Sequence, residues 1–203
     1  RSLMEPYDIH DPEMDPMAVA DSAHAIANTG FGAAYSAHFD MTVRIVGTLK
    51  IAGRSYDIDC VSTMDHSWGP RPENGFHPIL WANAHFGENY SLHGIFAVDR
   101  HAPVGQQHVF RLGYALVNGE VIGAKGGRIG SIRPQLFPTS MEMTLIDKND
   151  REHTVYGSVL THHPWVPYGN NLSPITMARW HAADGRIGLG TYLEGFPLNR
   201  VRP

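Results

Sequence analysis

The chain has 203 residues, 42% hydrophobic and 18% charged, which is long enough for one large core or two small ones. Sixteen Lys+Arg against twenty Asp+Glu give a net charge of −4, which leaves no footprint for a nucleic-acid backbone. The single Cys60 excludes an internal disulfide, and no apolar run is long enough for a transmembrane helix.

The N-terminus (Arg1-Ser2-Leu3-Met4-Glu5) lacks the apolar run of a signal peptide, and a cytoplasmic setting is expected. Because the chain starts at Arg1, it is expected to be a fragment or processed product that has lost any targeting segment. Residues 1–37 read as an acidic linker or arm, punctuated by Glu5-Pro6, Asp11-Pro12 and Asp15-Pro16. Asp15 is placed to cap a short helix near 16–28 that carries Val19, Ala23 and Ile26 on one stripe and stops by Gly30.

From His38 the hydrophobic period changes from 3.6 to 2, and residues 38–203 read as one β domain. Met41, Val43, Ile45, Leu49 and Ile51 share one face of a strand, and Thr42, Arg44, Thr48 and Lys50 share the other. After a turn at Ala52-Gly53, Tyr56, Ile58 and Cys60 oppose Asp57 and Asp59, completing a hairpin. Met41, Val43, Ile45, Tyr56 and Ile58 are therefore expected to be buried on one common face.

Further strands are expected near 78–86, 90–99, 107–117, 120–132, 140–147, 152–161, 174–182 and 186–194. Asn118-Gly119 and Asp184-Gly185 accept φ > 0 at both central positions of a tight hairpin turn, and Asn149-Asp150 is a weaker version. Antiparallel strands joined by short turns suit an up-and-down, lipocalin-like barrel or a strongly bent sheet, with a filled sandwich as the alternative. A barrel of this size is expected to leave a cavity.

The densest group of chemically active residues is Asp65-His66-Ser67-Trp68-Gly69-Pro70-Arg71, at the end of the second strand. A carboxylate beside an imidazole at a barrel mouth can exchange protons with a ligand, and Trp68 and Arg71 add an aromatic face and a fixed charge. The structural reading is that Asp65 ties down a turn, Trp68 plugs the barrel floor and Gly69-Pro70 turns the corner. His153, His162 and His163 are the tightest group among thirteen His, but no metal-ligand spacing frames them and no metal is expected. Gly123 to Gly127 reads as a glycine-rich bend, and Trp165 sits in an expected long loop placed to cap a pocket.

The stretch His38–Arg71, with Val46-Gly47-Thr48, Ala52-Gly53-Arg54, Tyr56-Asp57-Ile58-Asp59 and Asp65-His66-Ser67-Trp68-Gly69-Pro70-Arg71, resembles the hydroxyneurosporene synthase (carotenoid 1,2-hydratase)/AttH-like lipocalin-fold family. The resemblance implies two lipocalin-like modules in tandem, of which this chain is the second. It also implies cofactor-free addition of water to an isoprenoid double bond. The family's His-x-Trp falls on His66 and Trp68. Its downstream carboxylate has no secure counterpart in Trp81-Ala82-Asn83-Ala84-His85-Phe86-Gly87-Glu88-Asn89-Tyr90, where Glu88, or Asp99 beyond it, is the substitute on offer.

Protonating a C=C bond needs a carboxyl kept neutral by desolvation, aromatic faces for the carbocation and a base for water. Asp65 and His66 are the expected catalytic pair, and Trp68, Arg71, Trp81, His85 and Tyr90 the expected substrate contacts. One functional expectation is a cofactor-independent hydratase, dehydratase or isomerase for a hydrophobic, isoprenoid-like molecule. The other is a lipocalin-like carrier in which the same residues are structural. The expected partners are an apolar small molecule and either a preceding β module or a second copy of the chain, with no nucleic acid.

Overall fold

The structure, a computed structural model, describes residues 1–8, 11, 13–17, 37–68, 78–99, 101–103, 106–168 and 171–198, and only the backbone at Ala37, Ser67, Trp68 and Tyr168. The described residues are almost entirely strand. The helix expected near 16–28 lies mostly outside them, and Pro16 and Met17 form a turn.

Eight strands form a closed antiparallel barrel: β4 (Ile79–His85), β5 (Tyr90–Val98), β6 (His108–Val117), β7 (Glu120–Ile132), β8 (Ser140–Asp147), β9 (Glu152–Tyr168), β10 (Asn171–Ala182) and β11 (Ile187–Pro197). Each strand pairs with the next in sequence, and β11 closes on β4 through pairs such as Tyr192↔Ala82. Closure leaves no barrel edge to aggregate. A second sheet, in the order β1-β2-β3, is made of β1 (Tyr7–Asp8), β2 (Ala37–Ile51) and β3 (Arg54–Trp68).

The turn chemistry behaves as its residues dictate. Asn118 and Gly119 both take positive φ (54° and 85°), as do Ala52 and Gly53 (48° and 79°), so both hairpins close in two residues. At Asp184-Gly185 only the glycine is left-handed, and at Asn149-Asp150 only Asp150 is. The glycine-rich stretch Gly123–Gly127 is not a separate bend. It lies within β7, which takes a register shift between Ala124 and Gly126 where it pairs with β8.

The expected loop around Trp165 is also corrected. β9 runs on to Tyr168 and β10 starts at Asn171, with Ser173↔Trp165 and Thr176↔His162 in register. His162 and Thr176 share a hydrogen bond at 3.0 Å, so alternation carries through a region whose prolines suggested a loop.

Inward side chains fill the lumen. Trp180, Tyr192, Phe96 and Phe196 are essentially fully buried there, with Leu80, Leu92 and Leu145 between them. Gly157 makes room for Trp180, since a Cβ at that position would sit 2.9 Å from the indole ring. These aromatics take up much of the interior, which at this strand number is narrow.

At the barrel end where β7 stops, Arg133 closes the lumen. Its guanidinium makes a bidentate pair with Glu194 (2.7 and 2.9 Å) and bonds Tyr192 Oη and Ser131 Oγ (2.8 and 2.7 Å). The Glu194 side chain is only 3% exposed, and both of its oxygens accept hydrogen bonds, two from Arg133 and one from Tyr192 Oη.

The hairpin β2–β3 lies against the outer wall of the barrel with its faces reversed from expectation. His38, Asp40 and Thr42 are buried, Ile45 and Tyr56 are exposed (44% and 46%), and Met41, Val43 and Ile58 are half-buried. The apolar face, which also carries Leu49, Ile51 and Met64, looks away from the barrel. The polar face turns inward because the outer wall of β5 and β6 offers partners such as His93 and Tyr114. As a result β5 is buried on both faces and shows no burial alternation.

The N-terminal segment is part of this layer. Tyr7 pairs with Asp40 in β2, Leu3 N–H donates to Thr42 O (3.1 Å), and Met4, Tyr7 and Asp15 are buried. Gly123 seats it on β7, since a Cβ there would meet Met14 O at 2.2 Å.

Candidate functional site: a buried polar seam

The seam between the β1-β2-β3 sheet and the outer wall of β4–β6 holds a group of ionisable side chains. Side chains two apart on a strand share a face, so β2 presents His38, Asp40 and Thr42 to the barrel, and β4, β5 and β6 present Trp81, His93 and Tyr114 in return.

Asp40 is the centre. Its side chain is fully buried, with Oδ2 2.9 Å from His38 Nε2 and 3.0 Å from His93 Nε2. Burial pushes its carboxyl up, but the His93 and His38 imidazoles outweigh that and hold it well below the usual carboxylate range. His93 is stacked on Tyr114 (centroids 5.2 Å) and meets the edge of Trp81 (5.2 Å). Thr42 Oγ1 and Tyr114 Oη share a hydrogen bond at 3.2 Å. Burial raises the Tyr114 phenol far above its ordinary range, so it stays neutral.

The N-terminal segment completes the seam. The Tyr7 ring lies 5.1 Å from that of Tyr114, and Tyr7 Oη accepts from Gly113 N–H (3.3 Å). Asp15 hydrogen-bonds the same phenol, and burial lifts its carboxyl to about 6, against smaller lowering contributions from Met17 N–H and Tyr7. The seam therefore contains one carboxylate held ionised by imidazoles and one carboxyl kept neutral into mildly acidic pH by desolvation.

A raised folded-state pKa favours folding fully below the unfolded value near 3.8 and loses that contribution as pH rises through about 6. The ionised Asp15 then costs roughly 3 kcal/mol, because burial strips it of water by more than the Met17 N–H and Tyr7 hydrogen bonds restore. Asp15→Asn is thus expected to match the wild type in thermal stability near pH 4 and to exceed it above pH 7. Melting curves of the two proteins from pH 4 to 8 check this, and a difference that shrinks with rising pH contradicts it.

The expected site residues are dispersed. Asp65 lies within the hairpin, beyond any turn, opposite Asp40 in register; its carboxylate is 46% exposed and 3.8 Å from His38 Nδ1. It stands at the rim of the seam rather than at the barrel mouth. His66, next along an extended strand, points to the opposite face and stacks on Phe39 (centroids 5.6 Å), so Asp65 and His66 do not converge.

Trp81 is in the seam. His85 lies further along the same wall between Thr63 Oγ1 and Ser91 Oγ, both at 3.0 Å, and burial pushes its imidazole down to about 3, so it is neutral. Tyr90 is at the other end of the lumen, with Oη 3.2 Å from His153 Nδ1, while His153 Nε2 lies 3.1 Å from Asp147. The Trp68 side chain and Arg71 are outside the described residues. Glu88 is tied to Arg44 and Arg1 (2.7 and 3.0 Å), which occupies it structurally. His153 and His162 are held by separate partners and form no joint cluster.

His38, Asp40, His93, Tyr7 and Tyr114 were not singled out from sequence, and Asp15 was read there only as a helix cap. His38-Phe39-Asp40 carried a usable signal, since i, i+2 polar partners on a strand share a face. Among the described residues, donor atoms of His38, Asp40 and Asp65 also lie within 4.8 Å of one another, close enough to contribute to a metal site. A groove of about 580 Å³ lies on the barrel wall among β7, β8 and β9, lined by Ile129, Ile132, Met141 and Tyr156, remote from the seam residues in the topology.

These features define a class: a closed eight-stranded antiparallel barrel with a three-stranded sheet laid on its outer wall and an acid-imidazole-phenol seam between the two. The chain belongs to the family described as Domain of unknown function (DUF7064), which matches residues 5–194. No curated protein matches it significantly. Among solved structures it is similar to kievitone hydratase from Nectria haematococca, at 10% sequence identity and a TM-score of 0.52, over 83% of this chain and 56% of that one. The chain thus spans little more than half the length of that enzyme, and the likeness is one of fold. No helix among the described residues is long and apolar enough to cross a membrane.

Proposed function

We propose that the protein is a hydratase, dehydratase or isomerase acting on a hydrophobic, isoprenoid-like alkene or alcohol by proton transfer at a double bond, without an organic cofactor. The observation that carries this reading is the buried Asp15 carboxyl, lifted to about 6 and hydrogen-bonded to Tyr7, beside the stacked rings of Tyr114, His93 and Trp81. The shared fold with a hydratase supports it.

In this reading Tyr7 Oη gives its proton to the alkene carbon while Asp15 reprotonates the phenol, so no tyrosinate accumulates. The tertiary carbocation faces the Trp81 and Tyr114 rings, whose π-electrons offset its charge. Water held at the polar rim beside Asp65 forms the C–O bond and releases its proton to solvent, from which Asp15 is recharged. Loss of a neighbouring C–H proton instead gives an isomerised alkene.

The test is incubation of the protein with isoprenoid alkenes in H₂¹⁸O and in D₂O. The expected product is a tertiary alcohol carrying one ¹⁸O and one deuterium on the adjacent carbon, and an isomerase yields deuterium without ¹⁸O. Binding of such molecules with no isotope uptake in either direction sinks the catalytic reading. It would favour the second one, a carrier, which rests on the largely apolar groove among β7, β8 and β9.

A further inference from the structure

The polar core of the seam contains more donor atoms than its hydrogen bonds use. Asp40 Oδ1 is buried without a hydrogen-bond partner. The His93 side chain is 1% exposed, and its Nε2, although 3.0 Å from Asp40 Oδ2, has no hydrogen bond because the ring N–H is not directed at that oxygen. Leaving such atoms bare costs on the order of 1–3 kcal/mol each. Donor atoms of His38, Asp40 and Asp65, one from each, also lie within 4.8 Å of one another.

The geometry points to a binding site for one divalent first-row transition cation, held by His38, Asp40 and Asp65, with His93 beside Asp40 as a positioning residue. Atoms bound to a common ion at about 2.1 Å lie about 3–4 Å apart. The three donor atoms come within 4.8 Å of one another; His38 meets Asp40 through Nε2 (2.9 Å) and Asp65 through Nδ1 (3.8 Å), so one of these contacts turns when a single ring nitrogen takes the ion. Asp65, half-exposed on the rim, supplies the entry path and the small movement needed to close the shell. One imidazole with two carboxylates and no thiolate favours Zn²⁺, Mn²⁺, Fe²⁺ or Co²⁺ over the all-oxygen preference of Ca²⁺ and Mg²⁺. Such an ion departs from the expectation of a metal-free protein. It joins β2 to β3 on the face that meets the barrel, whatever reaction the seam performs.

The experiment uses the whole chain after treatment with a chelator, titrated calorimetrically with Zn²⁺ and Mn²⁺, and with Co²⁺ followed by its visible absorption. One ion per chain is expected, with a rise in melting temperature. Asp65→Asn, at the exposed rim where the fold tolerates change, is expected to weaken binding roughly tenfold or more. His93→Gln, beside Asp40, is expected to weaken binding less than Asp65→Asn, and His66→Ala, on the opposite face of β3, to leave binding unchanged. The site is overturned by absence of stoichiometric binding, by preference for Mg²⁺ or Ca²⁺, or by an Asp65→Asn protein that binds like the wild type.

Discussion

Replacing Arg133 by Met is expected to lower stability by about 3–5 kcal/mol, the largest loss for a single side chain outside the seam. Glu194 is almost wholly buried inside the barrel and receives two hydrogen bonds from the guanidinium, while Tyr192 Oη donates a weaker third at 3.3 Å. Methionine fills much of the arginine's volume but leaves the carboxylate without a counter-charge. For a chain of this length the loss corresponds to a fall in melting temperature of roughly 6–20 °C. One control separates lost charge from lost packing. Arg133→Met combined with Glu194→Leu is expected to recover most of it, because a buried pair replaced by apolar groups costs little. A double variant as unstable as the single one shows that Arg133 acts through packing at the barrel end.

Asp15→Asn is expected to reduce turnover roughly 10²–10⁴-fold. Asparagine keeps the carboxyl's size and can still accept from Met17 N–H, but it has no proton to pass to Tyr7. The same change is expected to stabilise the protein above pH 7, because it removes a buried charge there. The two effects have opposite signs, which distinguishes catalysis from scaffolding on one variant. Activity measured beside melting temperature at pH 7.5 decides the matter. A variant that is more stable and equally active makes Asp15 a mere burial penalty and removes the proposed proton donor. A variant that loses activity in step with stability makes it structural.

Much of the fold was legible in the chain. The change to period two at His38, the turn residues at Ala52-Gly53 and Asn118-Gly119, and the spacing of the later apolar runs mark the strands nearly to the residue, because backbone pleat and turn conformation are local properties. Where the local signal was mixed the reading failed. His162 to Tyr168 carries two prolines that suggest a loop, yet pairing with β10 keeps it in the barrel.

The candidate site was less legible, for a physical reason. Alternation shows that a hairpin is amphipathic and does not show which face meets protein. In β2 the apolar set from Met41 to Ile51 mimics a core face, while Asp40 and Thr42, which look solvent-bound, are covered by His93 and Tyr114 from strands some fifty and seventy residues away. Asp65 and Trp81 were chosen from sequence and do reach the seam or its rim, but His66 falls on the far face because neighbours on an extended strand diverge. The sequence by itself determined the strands, their turns and the all-β class, since these follow from local backbone preference. Only the tertiary structure decided that a carboxylate, two imidazoles, two phenols and a second carboxyl share one desolvated seam. Their proximity depends on barrel closure and on the placement of one sheet against another, and those are set by contacts distant in the chain.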